Sequence, residues 1–256
     1  MPRAPIATDG LTAAVRRGLV ASAAVVALAT LAGVYGVYGG GSAGLAPPPA
    51  PALAPALVKQ ADFGTAVASG EARQLADWIA AVNDNHGAPL VVVDKKQAKL
   101  FVFDGGATLQ GSTPVLLGQA VGDDTVDGIG SRPVADVLPF ERTTPAGRFI
   151  GERGRNTSGY DVVWVDYDAA VSMHRVVTNR PEERRLQRLE SPAVDDNRIS
   201  YGCINVPIVF YESHIRPTFA AQRAIIYVMP EHKSLQQVFG PLDTAAQPRL
   251  AGLTGL

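Results

Sequence analysis

A single thiol, Cys203, stands in the segment Ile199-Ser200-Tyr201-Gly202-Cys203-Ile204-Asn205 of a 256-residue chain. One cysteine forms neither an intramolecular disulfide nor a cysteine-cluster metal site, so any chemistry it does is that of a thiol or thiolate. A lone cysteine is often a small buried hydrophobe, and residue type alone leaves that reading open. The neighbours favour chemistry. Cys203 follows a glycine in a polar turn, Gly202 admits a tight backbone and a close substrate, and the N–H groups of 202 and 203 can point at a developing oxyanion.

A thiolate needs a base, and the chain has four histidines, His86, His174, His214 and His232. His174 lies in AAVSMHRVV at 169–177, where strand alternation puts Val171 and Met173 on one face and Ser172 with His174 on the other. A satisfied structural histidine is the competing reading. His214 falls on an expected helix, His86 in a polar NDNHG stretch and His232 in a terminal segment, so none has a comparable case. No HExxH, P-loop or dinucleotide glycine fingerprint occurs, and neither a metal nor a cofactor is expected. Cys203 with His174 is the pair that residue types and placement select.

The elements that must carry this pair divide the chain into six parts. Residues 1–17 are basic. Residues 18–38 form an uncharged run that as a helix would reach across about 30 Å of hydrocarbon, a transmembrane anchor or a signal peptide's apolar region. Basic residues before it and none just after place the N-terminus inside and the rest of the chain outside the cytoplasm. Residues 39–60 are an Ala/Pro/Gly linker in extended conformation. Residues 61–87 hold an amphipathic helix at 69–85, with Ser69 as N-cap and Leu75, Trp78, Ile79 and Val82 at helical spacing. Short β-prone runs occupy 88–230, among them 89–94, 98–104, 113–122, 147–152, 161–167, 169–177 and 223–229, with a helix near 206–215. Residues 231–256 are a C-terminal tail. The expectation is a mainly β domain.

The segment 181–190, PEERRLQRLE, is expected as a short exposed helix within an arginine-rich excursion over 175–198. It reads as a solvated surface excursion, or as a flap whose arginines meet substrate carboxylates. Net charge is −1, and the exported part has no basic stripe for nucleic acid.

Met173-His174 followed by Ser200-Tyr201-Gly202-Cys203-Ile204-Asn205 resembles the signature of the L,D-transpeptidase catalytic domain (YkuD type). The Val91-to-Asp104 hairpin and Thr144-Pro145-Ala146-Gly147-Arg148-Phe149 are similar to that family's opening strands and Thr-Pro-x-Gly-x-Phe segment. The resemblance covers about residues 88–230. It implies a β-sandwich-like fold with a few short helices and peptidoglycan stem peptides as partners, with the inner membrane a further partner through residues 18–38 if they are uncleaved. It also implies Cys203 as nucleophile and His174 as base, with the Arg175 carbonyl orienting the imidazole. Gly202 and Cys203 would then supply the oxyanion donors, and Ser200 and Asn205 would hold the loop. Two departures stand out: Tyr201 occupies the place of the usual histidine, and the interval from His174 to Ser200 is longer than usual. The implied activity is cross-linking through a cysteine acyl-thioester. The rivals are a carboxypeptidase or another envelope cysteine amidohydrolase, and a non-catalytic wall-binding protein of the same fold.

Overall fold

The computed structural model describes residues 59–242. The basic N-terminus, the apolar run at 18–38, the linker to residue 58 and the tail from 243 onward lie outside the described residues. Among those described, no helix is long and apolar enough to cross a membrane.

Helix α1 spans Gly70–Val82. It starts where the Ser69 hydroxyl accepts the Ala72 N–H at 3.0 Å and ends where Asn83 turns left-handed, φ 57°. Its apolar stripe, Leu75, Ala76 and Ile79, is fully buried against Leu90, Val92, Phe101 and Phe103. Those four are alternate residues of β1 (Leu90–Asp94) and β2 (Lys99–Phe103), an antiparallel pair with Val92 opposite Phe101. The intervening Val91, Val93, Leu100 and Val102 point the other way, into a second cluster with Met173, Ile204 and Ile226. Apolar matter therefore covers the sheet on both faces, and β1 reads as a continuous hydrophobic run.

The remaining strands are β3 (Leu109–Pro114), β4 (Leu117–Gly118), β5 (Gly147–Arg155), β6 (Asp161–Asp166), β7 (Val171–Arg175), β8 (Arg198–Ser200), β9 (Ile204–Val206) and β10 (Ala224–Val228). Eight of them form one sheet in the order β3-β2-β1-β10-β5-β6-β7-β9, and β4 pairs with β8. After pairing with β2 along one edge, the chain bends at Val115 and bridges Leu116 to Asn205 of β9 at the opposite edge. One segment thus joins both edges, and the sheet nearly closes on itself. This corrects the expected mainly β sandwich: the domain is mixed α/β, with one barrel-like sheet, α1 packed on the cluster of Leu90 and Phe101, and the helical stretch after β9 packed through Tyr211, Ile215 and Phe219 into the other cluster.

Local corrections have local causes. The strand expected over 113–122 is interrupted, because its residues serve first β2, then β9, then β8. At Gly118 a Cβ would lie 2.2 Å from the Arg142 carbonyl oxygen, so only glycine lets β4 run against the 142–144 segment. The helix expected at 206–215 runs on, from α3 (Ile208–Phe210) through a π-helical turn (Tyr211–Ile215) into α4 (Arg216–Ala221). A further short helix, α5, covers Leu235–Phe239. The segment 181–190 is a 3₁₀ turn, Pro181–Glu183, then α2, Arg185–Glu190, with Arg184 left-handed between them. Leu189 packs on Leu116 and Val176, so the excursion is seated on the domain and is not a purely solvated loop.

Candidate active site

Register assembles the site. Strands β7 and β9 are parallel, with Met173 beside Ile204 and His174 beside Asn205. One step back along both strands, Ser172 faces Cys203. Paired residues share a face and alternate along each strand, so Ser172, His174, Cys203 and Asn205 form a two-by-two array while Met173 and Ile204 enter the core. The Cys203 sulfur, partly buried, receives the Ser172 N–H at 3.5 Å and lies 3.7 Å from the Ser172 hydroxyl.

The two titratable groups shift each other. Burial pushes the Cys203 thiol up, but hydrogen bonding and charge from His174, with the Ser172 N–H, outweigh it and leave the pKa below the usual thiol value. Burial pulls His174 down, while the Cys203 sulfur and the Arg175 carbonyl bring it to a net value above the ordinary imidazole range. The arrangement favours a thiolate beside an imidazolium.

The imidazole is oriented from behind. Nδ1–H of His174 donates to the Arg175 carbonyl at 2.7 Å. A carbonyl only accepts, so Nδ1 keeps its proton and Nε2 is left to exchange one with sulfur. The Arg175 guanidinium bonds Asp161 at 2.9 Å, pairs with Glu212 and sits 4.3 Å over the Tyr211 ring. Neither carboxylate nor the tyrosine stands out in the sequence; they come from β6 and the helical stretch after β9.

The cysteine turn is pinned on every side. Ser200, buried, donates its hydroxyl to the Cys203 carbonyl at 2.6 Å and accepts the Gly202 N–H at 3.1 Å. The Gly202 N–H is thus engaged within the turn, and of the two N–H groups expected as donors Cys203 N–H is the one that Ser200 does not hold. Gly202 has φ 121°, and a Cβ there would lie 2.6 Å from the Thr143 carbonyl oxygen, so both conformation and space require glycine. Asn205, with no exposed surface, donates to the Cys203 carbonyl at 3.2 Å and accepts from Arg185 at 2.6 Å. Through Arg185 the long excursion therefore touches the site, and its charge counts among the influences on His174.

Tyr201 packs partly buried on the core beneath Arg142, whose guanidinium carbon is 3.9 Å from the ring centre. Arg142 is held by the Val137 carbonyl at 3.0 Å and the Gln119 side chain at 2.9 Å. His214 is occupied elsewhere, stacked on Phe210 and bonded to Ser213 and the Gln110 carbonyl.

Apart from Thr144, a second layer has no signal in the sequence. The Thr144 hydroxyl donates to the Gly202 carbonyl at 2.8 Å and accepts the Gly118 N–H at 2.9 Å. Lys95, fully buried, donates to the Thr144 carbonyl at 2.9 Å and to Asp123 at 3.1 Å, while Arg198 pairs with Glu231 beside it. Nothing local separates Lys95 from its exposed neighbour Lys96; only the tertiary fold does. No group of three metal-ligating side chains occurs among the described residues.

No family model and no curated protein matches the chain. Among solved structures, an L,D-transpeptidase from Mycobacterium smegmatis is 14% identical at a TM-score of 0.32, covering 55% of this chain and 58% of that one. The Enterococcus faecium L,D-transpeptidase C442S mutant is 15% identical at 0.30, covering 56% and 50%, and Bdellovibrio bacteriovorus Bd1075 is 16% identical at 0.35, covering 64% and 55%. This chain thus spans between half and three-fifths of the length of these structures, and its structural similarity to L,D-transpeptidases is weak.

Proposed function

We propose that the protein is a cysteine acyltransferase of the L,D-transpeptidase kind, acting on peptidoglycan stem peptides in the bacterial envelope. The observation that carries the reading is the register of β7 against β9, which sets a thiol of lowered pKa beside an oriented histidine of raised pKa. The thiolate attacks the carbonyl carbon between the third residue and the terminal D-alanine of a tetrapeptide stem. The resulting oxyanion takes the Cys203 N–H as a donor. The C–N bond then breaks, the His174 imidazolium gives its Nε2 proton to the leaving amine, and an acyl-thioester remains. An amine from a second stem, losing a proton to His174, displaces the thiolate and completes a cross-link. Acyl transfer of this type runs on a nucleophile, a base and an oxyanion donor, the roles this reading gives to the Cys203 thiolate, His174 and the Cys203 N–H.

The envelope location is proposed from the basic residues and 21-residue uncharged run at the N-terminus. Muropeptide mass spectrometry after incubating the full chain with isolated peptidoglycan tests the assignment. New cross-links that form with loss of D-alanine support it; loss of D-alanine without cross-links makes water the acceptor and the protein a carboxypeptidase; neither product refutes it.

A further inference from the structure

Beside the cysteine turn lies a cleft of about 150 Å³ lined by Cys203, Tyr201, Val137, Ala170, Val171 and Arg132, among others. The lining is otherwise small, apolar or hydroxyl-bearing, and Arg132 is its one charged side chain. Arg132 enters from the end of a 3₁₀ turn, Ile129–Ser131. Its Nη2 lies 3.0 Å from Glu141, a carboxylate that is itself fixed by the Leu138 N–H at 2.9 Å. The guanidinium is thereby held in place while about a third of the side chain, 34%, stays exposed.

Its donors are not used up. Arg132 Nε is buried without a hydrogen bond, while Nη2 is committed to the ion pair with Glu141. Buried arginine donors are normally satisfied. A planar cation with spare donors, fixed in an apolar cleft that also holds a nucleophile, is a receptor for a carboxylate.

We infer that Arg132 binds a substrate carboxylate adjacent to the scissile carbonyl and so selects the donor. This rests on the acyltransferase reading of Cys203. Two carboxylates lie within reach of that chemistry: the terminal one on the leaving residue, or a side-chain one on the third residue.

Three donor tetrapeptides separate these sources when Cys203 acylation is followed by intact mass on the full chain: a free acid with an acidic third residue, its C-terminal amide, and the analogue with lysine third. Wild type should acylate with the free acid about 10- to 100-fold faster than with one of the two others, the size of a charged hydrogen bond. Arg132→Gln should lose that advantage and show no additional loss on the disfavoured donor, since the partner is already gone. Arg132→Lys should recover part of it. The donor that loses the advantage identifies the carboxylate. If Arg132→Gln slows all three donors by one factor, or leaves all unchanged, the assignment of Arg132 is wrong while the acyltransferase reading stands. If wild type is acylated by none of them, that reading fails and this inference with it.

Discussion

The carbonyl oxygen of Arg175 lies 2.7 Å from Nδ1 of His174, so the imidazole is aimed by the residue that follows it. The same residue's side chain is anchored to Asp161 on β6 and to Glu212 in the π turn. Orientation of the imidazole is thus a property of three elements, not of the histidine's rotamer alone.

Arg175→Ala keeps the carbonyl but removes its anchors. Acylation is expected to fall about tenfold by loosened geometry. Because the paired groups are between a quarter and two-fifths exposed, stability should change by no more than about 1 kcal/mol. Single-turnover acylation beside urea unfolding measures both; a stability loss of several kcal/mol with unaltered acylation would assign Arg175 to structure instead.

Thiol reactivity should carry the pH signature of the pair. Cys203 titrates below the ordinary value of 9.0, and His174 above 6.5. Alkylation therefore rises with pH to a midpoint under 9.0 and is lost as pH falls through that midpoint, while protonation of the leaving amine fades as pH climbs past the raised histidine value. In His174→Ala the largest lowering influence is gone while burial and the Ser172 N–H remain, so the midpoint should move up. Iodoacetamide rates across pH decide this, and an unmoved midpoint would deny the coupling.

Much of this is legible in the sequence because the signals are local. The Ser69 cap and the 3.6-residue apolar period mark α1, alternation in 169–177 puts His174 on the face opposite Met173, and Gly202 before the lone thiol marks a constrained turn. The parts that are not legible depend on partners distant in the chain. Strands β8 and β9 have three residues each, too few for a periodic pattern, and are defined by pairing with β4 and β7. Ser200 is expected as a loop support; its hydroxyl bonds the Cys203 carbonyl and also occupies the Gly202 N–H expected for the oxyanion. The burial of Lys95 comes from Asp123, Thr144 and Glu231, all far from it in the chain.

That buried network should matter to both folding and the site. Burial pushes Asp123 up, but backbone N–H groups of Lys233, Glu231 and His232, with Lys95, outweigh it and hold the carboxyl well below the usual range. A depressed folded pKa contributes stability that is present above the unfolded value and lost as pH falls through the folded one. Lys95→Met strands buried carboxylates and should cost about 3–5 kcal/mol. Thr144→Val leaves the Gly118 N–H and Gly202 carbonyl unmet, for about 1–3 kcal/mol. Chemical denaturation tests these figures; near-neutral values for both variants would contradict the network.

Tyr201 is expected to act through its ring. Tyr201→Phe preserves packing under Arg142 and should acylate within a few-fold of wild type, whereas a hydroxyl that met the oxyanion would cost on the order of 10²-fold when removed. Acylation rates of the two proteins with one donor peptide separate these outcomes.

In the proposed reaction Cys203, supported by His174, forms the acyl-thioester. Intact mass of the full chain after mixing with a donor tetrapeptide measures it. An adduct of the donor minus D-alanine is expected on Cys203 in wild type, with no adduct in Cys203→Ala and formation slowed by at least roughly 10²-fold in His174→Ala but nearly unchanged in His214→Ala. An adduct that persists in Cys203→Ala, or one that depends on His214 rather than His174, would contradict it.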